Sequence, residues 1–327
     1  MKPTPALVTG AAGFIAFHLV EKLLRAGTPV IGIDNFDPFY DIEIKKKNIS
    51  DLTALATQLS VPFHFEKLDI SELSAKSFAE HEISFVAHLA AKAGVRPSIL
   101  APEAYAHVNV AGTLHVLEFC RQRKIDRFIF GSSSSVYGDD TPVPFNESAD
   151  CAKPVSPYAA TKRAAELLCS TYAYVHGLRT ASLRFFTAYG PRQRPDLAIH
   201  KFCKLIAHDK PVPFFGDGTT SRDYTHVSDI VSGVQSAIEW TAKANKASFE
   251  VFNLGGSKAV SLKELLGLIE SALGKKAKLE RHDMQQGDVL RTFADLSKSK
   301  KILGYAPRVS IQDGIKDFVS WYLKASS

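Results

Sequence analysis

The stretch "ALVTGAAGFIAFHLVEKLLRAGTPVIGID", residues 6–34, constrains the fold more than any other part of the chain. A short apolar run ends at Thr9 and Gly10, a turn leads into an amphipathic helical pattern over 14–26, and a second apolar run closes on Asp34. Gly10 and Gly13 allow a sharp backbone turn and close approach to a ligand. Ala12, Phe14 and Ile15 complete the turn. The first amides of a helix and its dipole favour a phosphate at that point. An acid at the end of the second strand accepts hydrogen bonds from an adenosine ribose and repels a 2′-phosphate. Ala16 stands where a third glycine is usual, a position concerned with helix–strand packing, which a methyl group tolerates. The expectation is a strand–turn–helix–strand unit that binds NAD rather than NADP.

The alternation continues for about 190 residues. Strand candidates are 6–10, 29–34, 62–69, 84–90, 127–133 and 179–185, with helical patterns at 14–26, 104–123 and 158–176. Continuous apolar strands alternating with helices predict a parallel sheet covered on both faces, an α/β doubly wound fold of Rossmann type. After residue 190 the text changes to "GPRQRP" and "PVPFFGDGTTSRDY", then to scattered helices and short strands. Residues 1–190 are therefore expected to form the dinucleotide domain. Residues 191–327 form a smaller, irregular lobe, with the chain crossing between the two, including 229–260.

Two further motifs converge on the carboxyl edge of such a sheet. The fifth strand runs into four serines, Ser132 to Ser135, and "YAATK" places Tyr158 and Lys162 four residues apart in a helix that Pro157 starts. At that spacing both side chains share one helical face, where an ammonium favours a phenolate. The serines alone read equally as caps in a polar loop, and the Tyr–Lys pair alone as an exposed surface pair. Beside a nicotinamide, a hydroxyl, a phenol and an ammonium can move a proton together with a hydride.

The bulk properties exclude several other classes. The net charge is +6 and the pI about 9.0. The basic residues are scattered and lack interleaved aromatics, so a nucleic-acid partner is not expected. The four cysteines form no CxxC pair, which argues against a zinc site or a disulfide framework and for a reducing cytoplasm. No metal is expected. No apolar run approaches a membrane span, and the chain enters its first strand without a leader-like profile.

The motifs together resemble the extended short-chain dehydrogenase/reductase family, in its nucleotide-sugar epimerase and dehydratase group. The residues that carry the likeness are "TGAAGFI", "GID", "LDI", "HLAAKAGVR", "NVAGT", "SSSSVYG", "YAATK", "LRFFTAYGPRQRPD", "FGDGTTSRDYTHVSD", "FNLGG" and "GDVLRTFAD". "DNFDPFYDIEIKKKNI", "AGVR", "RPD" and "MQQGDV" are most similar to the UDP-glucuronate 4-epimerases. The resemblance implies that Asn35, Asp69, Ile70, Leu89, Ala90, Ala91, Lys92, Asn109 and Phe185 line the cofactor. It implies Tyr158 as the base, Lys162 on the nicotinamide ribose, and Ser133, helped by Ser134 or Ser135, at the sugar C4 oxygen. Arg222 and Arg291 are candidate clamps for the UDP pyrophosphate, and Arg96 and Phe215 further contacts of the nucleotide sugar. Thr187 and Arg194 are candidates to hold a uronate carboxylate. Related dehydratases and decarboxylases carry Asp or Glu in the serine segment. Here those positions are Ser134 and Ser135, which points to oxidation and re-reduction at C4 and no further chemistry. UDP-glucose or UDP-N-acetylglucosamine 4-epimerisation is the alternative reaction, and a non-catalytic NAD-binding regulator the alternative class. Family members commonly pair as homodimers through helices corresponding to 104–123 and 158–176.

Overall fold

The computed structural model describes residues 4–256, 258–283 and 290–326. Residues 284–289, which carry the "MQQGDV" motif, lie outside them. The chain begins β1 (Ala6–Thr9), α1 (Phe14–Arg25), β2 (Val30–Asp34), α2 (Ile42–Leu59), β3 (Phe63–Lys67) and β4 (Val86–His88). It continues through α3 (Val95–Leu100), α4 (Pro102–Tyr105), α5 (Gly112–Gln122), β5 (Arg127–Ser133), α6 (Pro157–His176) and β6 (Arg179–Phe185). Six of the strands thus fall inside the six apolar runs. Residues Ala106–Ala111 join α4 to α5 in wide π turns, so 102–122 is nearly one helix.

These strands form a parallel sheet of seven with the order β10-β6-β5-β4-β1-β2-β3. The seventh, β10 (Phe249–Leu254), returns from the C-terminal half and pairs in parallel with β6. From β1 the chain steps outward to β2 and β3, then crosses back to β4 on the other side. The carboxyl ends of β1 and β4 therefore open a crevice where the strand order reverses. Successive residues supply opposite faces: Val8, Ile129 and Leu183 pack with Phe17 and Leu24 of α1, whereas Leu7, Phe128 and Phe130 pack with Val116 and Phe119 of α5 and Cys169 of α6. Burial on both faces is why these strands read as unbroken apolar runs. β3 has a single neighbour and alternates between half-buried and exposed residues, as an edge strand does.

The sequence pattern did not reveal α2. Its buried stripe is Lys45, Asn48, Leu52 and Ala56, so two of the four inward positions are polar and the helical periodicity of apolar residues is broken. Asp41 caps it by accepting from the Glu43 amide at 3.0 Å.

Beyond β6 lie β7 (Thr187–Tyr189), α7 (Ala198–Ala207), β8 (Pro211–Phe215), β9 (Ser221–His226) and α8 (Val227–Lys243). After β10 come β11 (Ala259–Ser261), α9 (Leu262–Leu273), β12 (Lys278–His282), α10 (Ser297–Leu303) and α11 (Ile311–Ser326). α8 packs on the large sheet, with Ile230 and Val234 in the same core as Val8. A three-strand sheet, β11-β9-β7, and the parallel pair β12-β8 carry their own core with α7, α9 and α11, around Tyr189, Phe202, Phe214, Leu265 and Phe318.

Candidate active site

A single cleft runs along the carboxyl edge of the sheet, from the turn after β1 to the start of β7. Gly10 sits at φ +73°, and a β-carbon there would stand 2.8 Å from the Ala90 amide nitrogen. Only glycine fits, because the turn and the loop after β4 approach backbone to backbone. The Gly13 amide closes the turn on the Gly10 carbonyl at 2.8 Å, and no side chain caps α1. Among the described residues the first amides of α1 thus have no protein partner of their own, as a phosphate site requires.

Asp34 ends β2 and is buried. Its Oδ2 accepts from the Ala12 amide at 3.2 Å and its Oδ1 from the Phe36 amide at 2.8 Å. Burial pushes this carboxyl up, and the nearby Lys45 ammonium and the two amides oppose that. Asn35 donates to Asp69 at 2.7 Å, while Asp69 also accepts from the Ser71 amide and hydroxyl. Burial alone raises the Asp69 carboxyl, but these hydrogen bonds outweigh it and leave the group below its ordinary value. This half of the cleft fits a dinucleotide: a cradle that a β-carbon would fill, open helix amides, and a buried carboxylate at the end of β2.

Asn109 works from behind the wall. It accepts from the Lys92 amide at 2.8 Å and donates to the Lys92 carbonyl at 2.9 Å and to the Thr161 hydroxyl at 3.1 Å. It therefore ties the loop after β4 to the first turns of α6. His88, which the sequence pattern did not single out, joins Thr9 at 2.8 Å to Thr113 at 3.1 Å, and Thr9 in turn accepts from the Ala90 amide. Burial, and secondarily the Lys162 charge, lower His88 to about 3, so it is a neutral brace.

The four serines divide by strand geometry. Ser132 also lines the cleft, but its hydroxyl is committed to Glu166, to which it donates at 2.6 Å. The Ser133 hydroxyl, one residue on, donates to the Ser135 hydroxyl at 3.2 Å and lies close enough to the Tyr158 phenol to lower it. That hydroxyl also caps the short turn Ser134–Tyr137 by accepting from the Ser135 amide. Ser133, Ser134 and Ser135 line the cleft with Tyr158, Lys162, Phe185, Thr187 and Arg194.

One expectation is corrected here. Lys162 shares the face of α6 with Tyr158, but its ammonium donates to the Gly131 carbonyl at 2.7 Å and lies 4.9 Å from the Phe130 ring centre. It is turned to that carbonyl and is not among the groups that shift the phenol. Burial raises Tyr158 above its ordinary value; the Ser133 hydrogen bond and the Arg194 charge are what pull it down. Burial likewise lowers Lys162 to about 8. Arg194 reaches the cleft with its Nε and Nη2 on Asp196 at 3.0 and 2.8 Å and its guanidinium 5.3 Å from the Phe39 ring centre. The cation acting on the phenol thus comes from beyond the large sheet.

The cleft gathers Gly10, Gly13, Phe14, Ile15, Asp34, Asn35, Asp69, Ile70, Leu89, Ala90, Ala91 and Lys92 at one end. Ala12 contributes its amide, to Asp34. Arg96, Phe215, Arg222 and Arg291 lie outside its lining. Arg96 sits over the Phe215 ring at 5.5 Å, and that ring stacks on His282 at 5.1 Å. Arg222 lies on β9, bonded to the Ser221 carbonyl, and the exposed Arg291 bridges to Ser221. The sequence reading assigned no role to Asp37, Phe39, Tyr40 or Lys45, all of which line the cleft. Their segment was visible as a motif, but nothing in its spacing says that it folds back over the sheet edge. The described residues hold no cluster of three or more metal-ligating side chains.

The family model of the NAD dependent epimerase/dehydratase family matches residues 6–255. The UDP-glucuronate 4-epimerase of Thermodesulfobacterium geofontis is 40% identical over 318 residues, 96% of this chain and 95% of that protein. Among solved structures, UDP-glucuronic acid 4-epimerase from Bacillus cereus, in complex with UDP-glucuronic acid and NAD, has a TM-score of 0.90 at 36% identity. The match covers 98% of this chain and 100% of that one. UDP-glucose 4-epimerase from Thermotoga maritima, with UDP-glucose, has a TM-score of 0.88 at 30% identity, covering 99% and 100%.

Proposed function

This chain belongs to the NAD dependent epimerase/dehydratase family, and we propose that it is an NAD-dependent 4-epimerase interconverting UDP-glucuronate and UDP-galacturonate. The observation that carries the sugar assignment is Arg194 in the same cleft as Ser133 and Tyr158, close enough for its charge to act on the phenol. A uronate excluded from water needs a paired cation. A solved relative of the same architecture holds UDP-glucuronic acid and NAD, which supports the same sugar.

NAD, when bound, supplies the hydride acceptor and donor. The residues proposed to hold it are Gly10, Gly13 and the first amides of α1 at the phosphates, Asp34 at the adenosine ribose, Asp69 and Ile70 at the adenine, and Lys162 at the nicotinamide ribose. Tyr158, as phenolate, removes the proton from the sugar C4 hydroxyl and later returns it. Ser133 donates to the C4 oxygen and keeps it near Tyr158 in both faces' geometries. Ser134 and Ser135 offer no carboxylate, so the 4-keto sugar has no acid or base from this loop to carry it further. Thr187 and Arg194 hold the uronate so that the β-keto acid does not reach the geometry for CO2 loss. The uridine diphosphate extends toward Arg96, Phe215, Arg222 and Arg291. In this reading residues 1–190 with 229–260 serve the cofactor, and the rest of 191–327 serves the nucleotide sugar.

Exposed apolar side chains on α5 and α6, Leu114, Leu167, Tyr174 and Val175, support a homodimer through those helices. Four free, buried cysteines support a reducing cytoplasm. Among the described residues no helix is long and apolar enough to cross a membrane. The test is product analysis: purified protein given UDP-glucuronate should form UDP-galacturonate without added cofactor, and faster than it epimerises UDP-glucose. A faster reaction on UDP-glucose refutes the sugar assignment.

A further inference from the structure

The second turn of α2 carries three consecutive lysines, Lys45 to Lys47, and burial separates them. Lys46 and Lys47 are exposed and pair with Glu43 and Asp51 on their own helix. Lys45 turns inward on the stripe of Asn48, Leu52 and Ala56 and is 7% exposed. An ammonium removed from water is costly unless it is paired and hydrogen-bonded. Lys45 donates to the Asp37 carbonyl at 2.9 Å, lies 4.9 Å from the Tyr40 ring centre, and stands 3.9 Å from Asp34 Oδ1. All four residues line the cleft beside the turn after β1. Each Asp34 oxygen accepts one backbone amide, and a carboxylate oxygen can accept more. Among the described residues around Asp34, Lys45 is the one full cation opposing the cost of burying its charge, while Asp37 adds to that cost.

Resting on the dinucleotide reading of this cleft, we propose that Lys45 is a specificity-determining residue of the cofactor site, keeping Asp34 an anion for the ribose hydroxyls while Asp34 masks the ammonium from a 2′-phosphate. The pair has a consequence that an isolated acid lacks. Removing the carboxylate alone leaves the Lys45 ammonium without the anion that stands 3.9 Å from it, so selectivity turns toward NADP rather than merely relaxing. Removing both charges abolishes that turn.

The experiment is a competition. Wild type, Lys45→Met, Lys45→Arg, Asp34→Asn and the double variant Asp34→Asn/Lys45→Met are equilibrated with equimolar NAD and NADP. They are then desalted and denatured, and the released dinucleotides are quantified by chromatography, with a thermal melt for each variant. Wild type is expected to hold NAD, and Lys45→Met to hold markedly less, with Lys45→Arg restoring it. The NADP-to-NAD ratio of Asp34→Asn should rise at least about tenfold over wild type, equivalent to about 1.4 kcal/mol, and fall back in the double variant. Equal ratios in Asp34→Asn and the double variant overturn the proposal, as does wild-type NAD occupancy in Lys45→Met. If Lys45→Met does not fold, the comparison of Asp34→Asn with the double variant, whose buried charges are both gone, decides alone. Wild-type protein that retains neither dinucleotide overturns the cofactor reading itself, a result distinct from a failure of the Lys45 assignment.

Discussion

Glu166 lies beneath the serine run, and replacing it with alanine is the sharpest structural test of how that run is held. Its carboxylate accepts from Ser132 at 2.6 Å, from Arg184 Nε and Nη2 at 2.9 Å each, and from Arg163 at 3.0 Å. Ser132 and Arg184 are register partners on β5 and β6, so one carboxylate on α6 fastens two adjacent strands. The side chains of Arg184 and Glu166 are 1% and 0% exposed. Glu166→Ala therefore strands a buried guanidinium, which costs about 3–5 kcal/mol. Unfolding entropy of about 2.1 cal/mol/K per residue, over 327 residues, converts this into a fall in melting midpoint of about 4–7 °C. The double change Glu166→Leu/Arg184→Met removes both charges and should recover most of the loss, since an apolar replacement of a buried pair is often neutral or better. Burial raises the Glu166 carboxyl, but Arg184, Ser132 and Arg163 outweigh it and hold the group below the ordinary range. A depressed carboxylate stabilises the fold above its unfolded value and loses that contribution as pH falls through the folded one. The gap between wild type and Glu166→Ala should accordingly be full at pH 7 and narrow below about pH 4. Scanning calorimetry measures all of this. A single-variant cost below about 1 kcal/mol, or a double variant as unstable as the single, refutes the argument, because either means the guanidinium was never dependent on Glu166.

Four further outcomes are expected. Tyr158→Phe should keep its bound dinucleotide but lose at least about a hundredfold in epimerisation rate, and retention of near-normal turnover would show that another group is the base. Arg194→Ala removes a charge that acts on the Tyr158 phenol, so both sugars should slow, but UDP-glucuronate turnover should fall by a further factor of roughly 10² or more, the scale of a lost buried charge partner, with release of some decarboxylated pentose; equal losses on both sugars would leave Arg194 no part in holding the carboxylate. Gly10→Ala forces a β-carbon to 2.8 Å from the Ala90 amide at a φ of +73°, so cofactor content after desalting should collapse and the fold should lose more than the about 1–2 kcal/mol that the positive φ alone costs. Burial depresses Lys162 to about 8, so kcat/KM should fall above that pH as the ammonium is lost and the limb should move upward in Lys162→Arg; an unchanged limb assigns it to another group. The same depressed lysine destabilises the fold most below about pH 8, and that cost is relieved as pH rises toward its unfolded value.

The sheet was legible because both its faces are covered. Strands covered on both faces are mostly apolar, so β1, β2, β4 and the first half of β5 announce themselves, while β6 carries buried Thr180, Ser182 and Arg184 among its apolar residues; the glycine turn and Asp34 mark which end carries the ligand. The pairing of Tyr158 with Ser133 in one cleft was likewise implicit in the order of strand ends. Three things were not legible. α2 was hidden because its inward stripe carries Lys45 and Asn48, and a buried lysine looks like its exposed neighbours until something buries it. The serines could not be sorted, because which hydroxyl meets Glu166 and which meets Tyr158 depends on the face each presents, fixed by the pairing of β5 with β6 and the packing of α6. The charge acting on the phenol was misplaced: spacing along one helix suggested Lys162, yet that ammonium donates to the Gly131 carbonyl, and Arg194 arrives from beyond β6. Periodicity and turn chemistry are local and survive in the sequence. Desolvation and charge pairing depend on groups brought together from distant positions, so only the tertiary structure decided them.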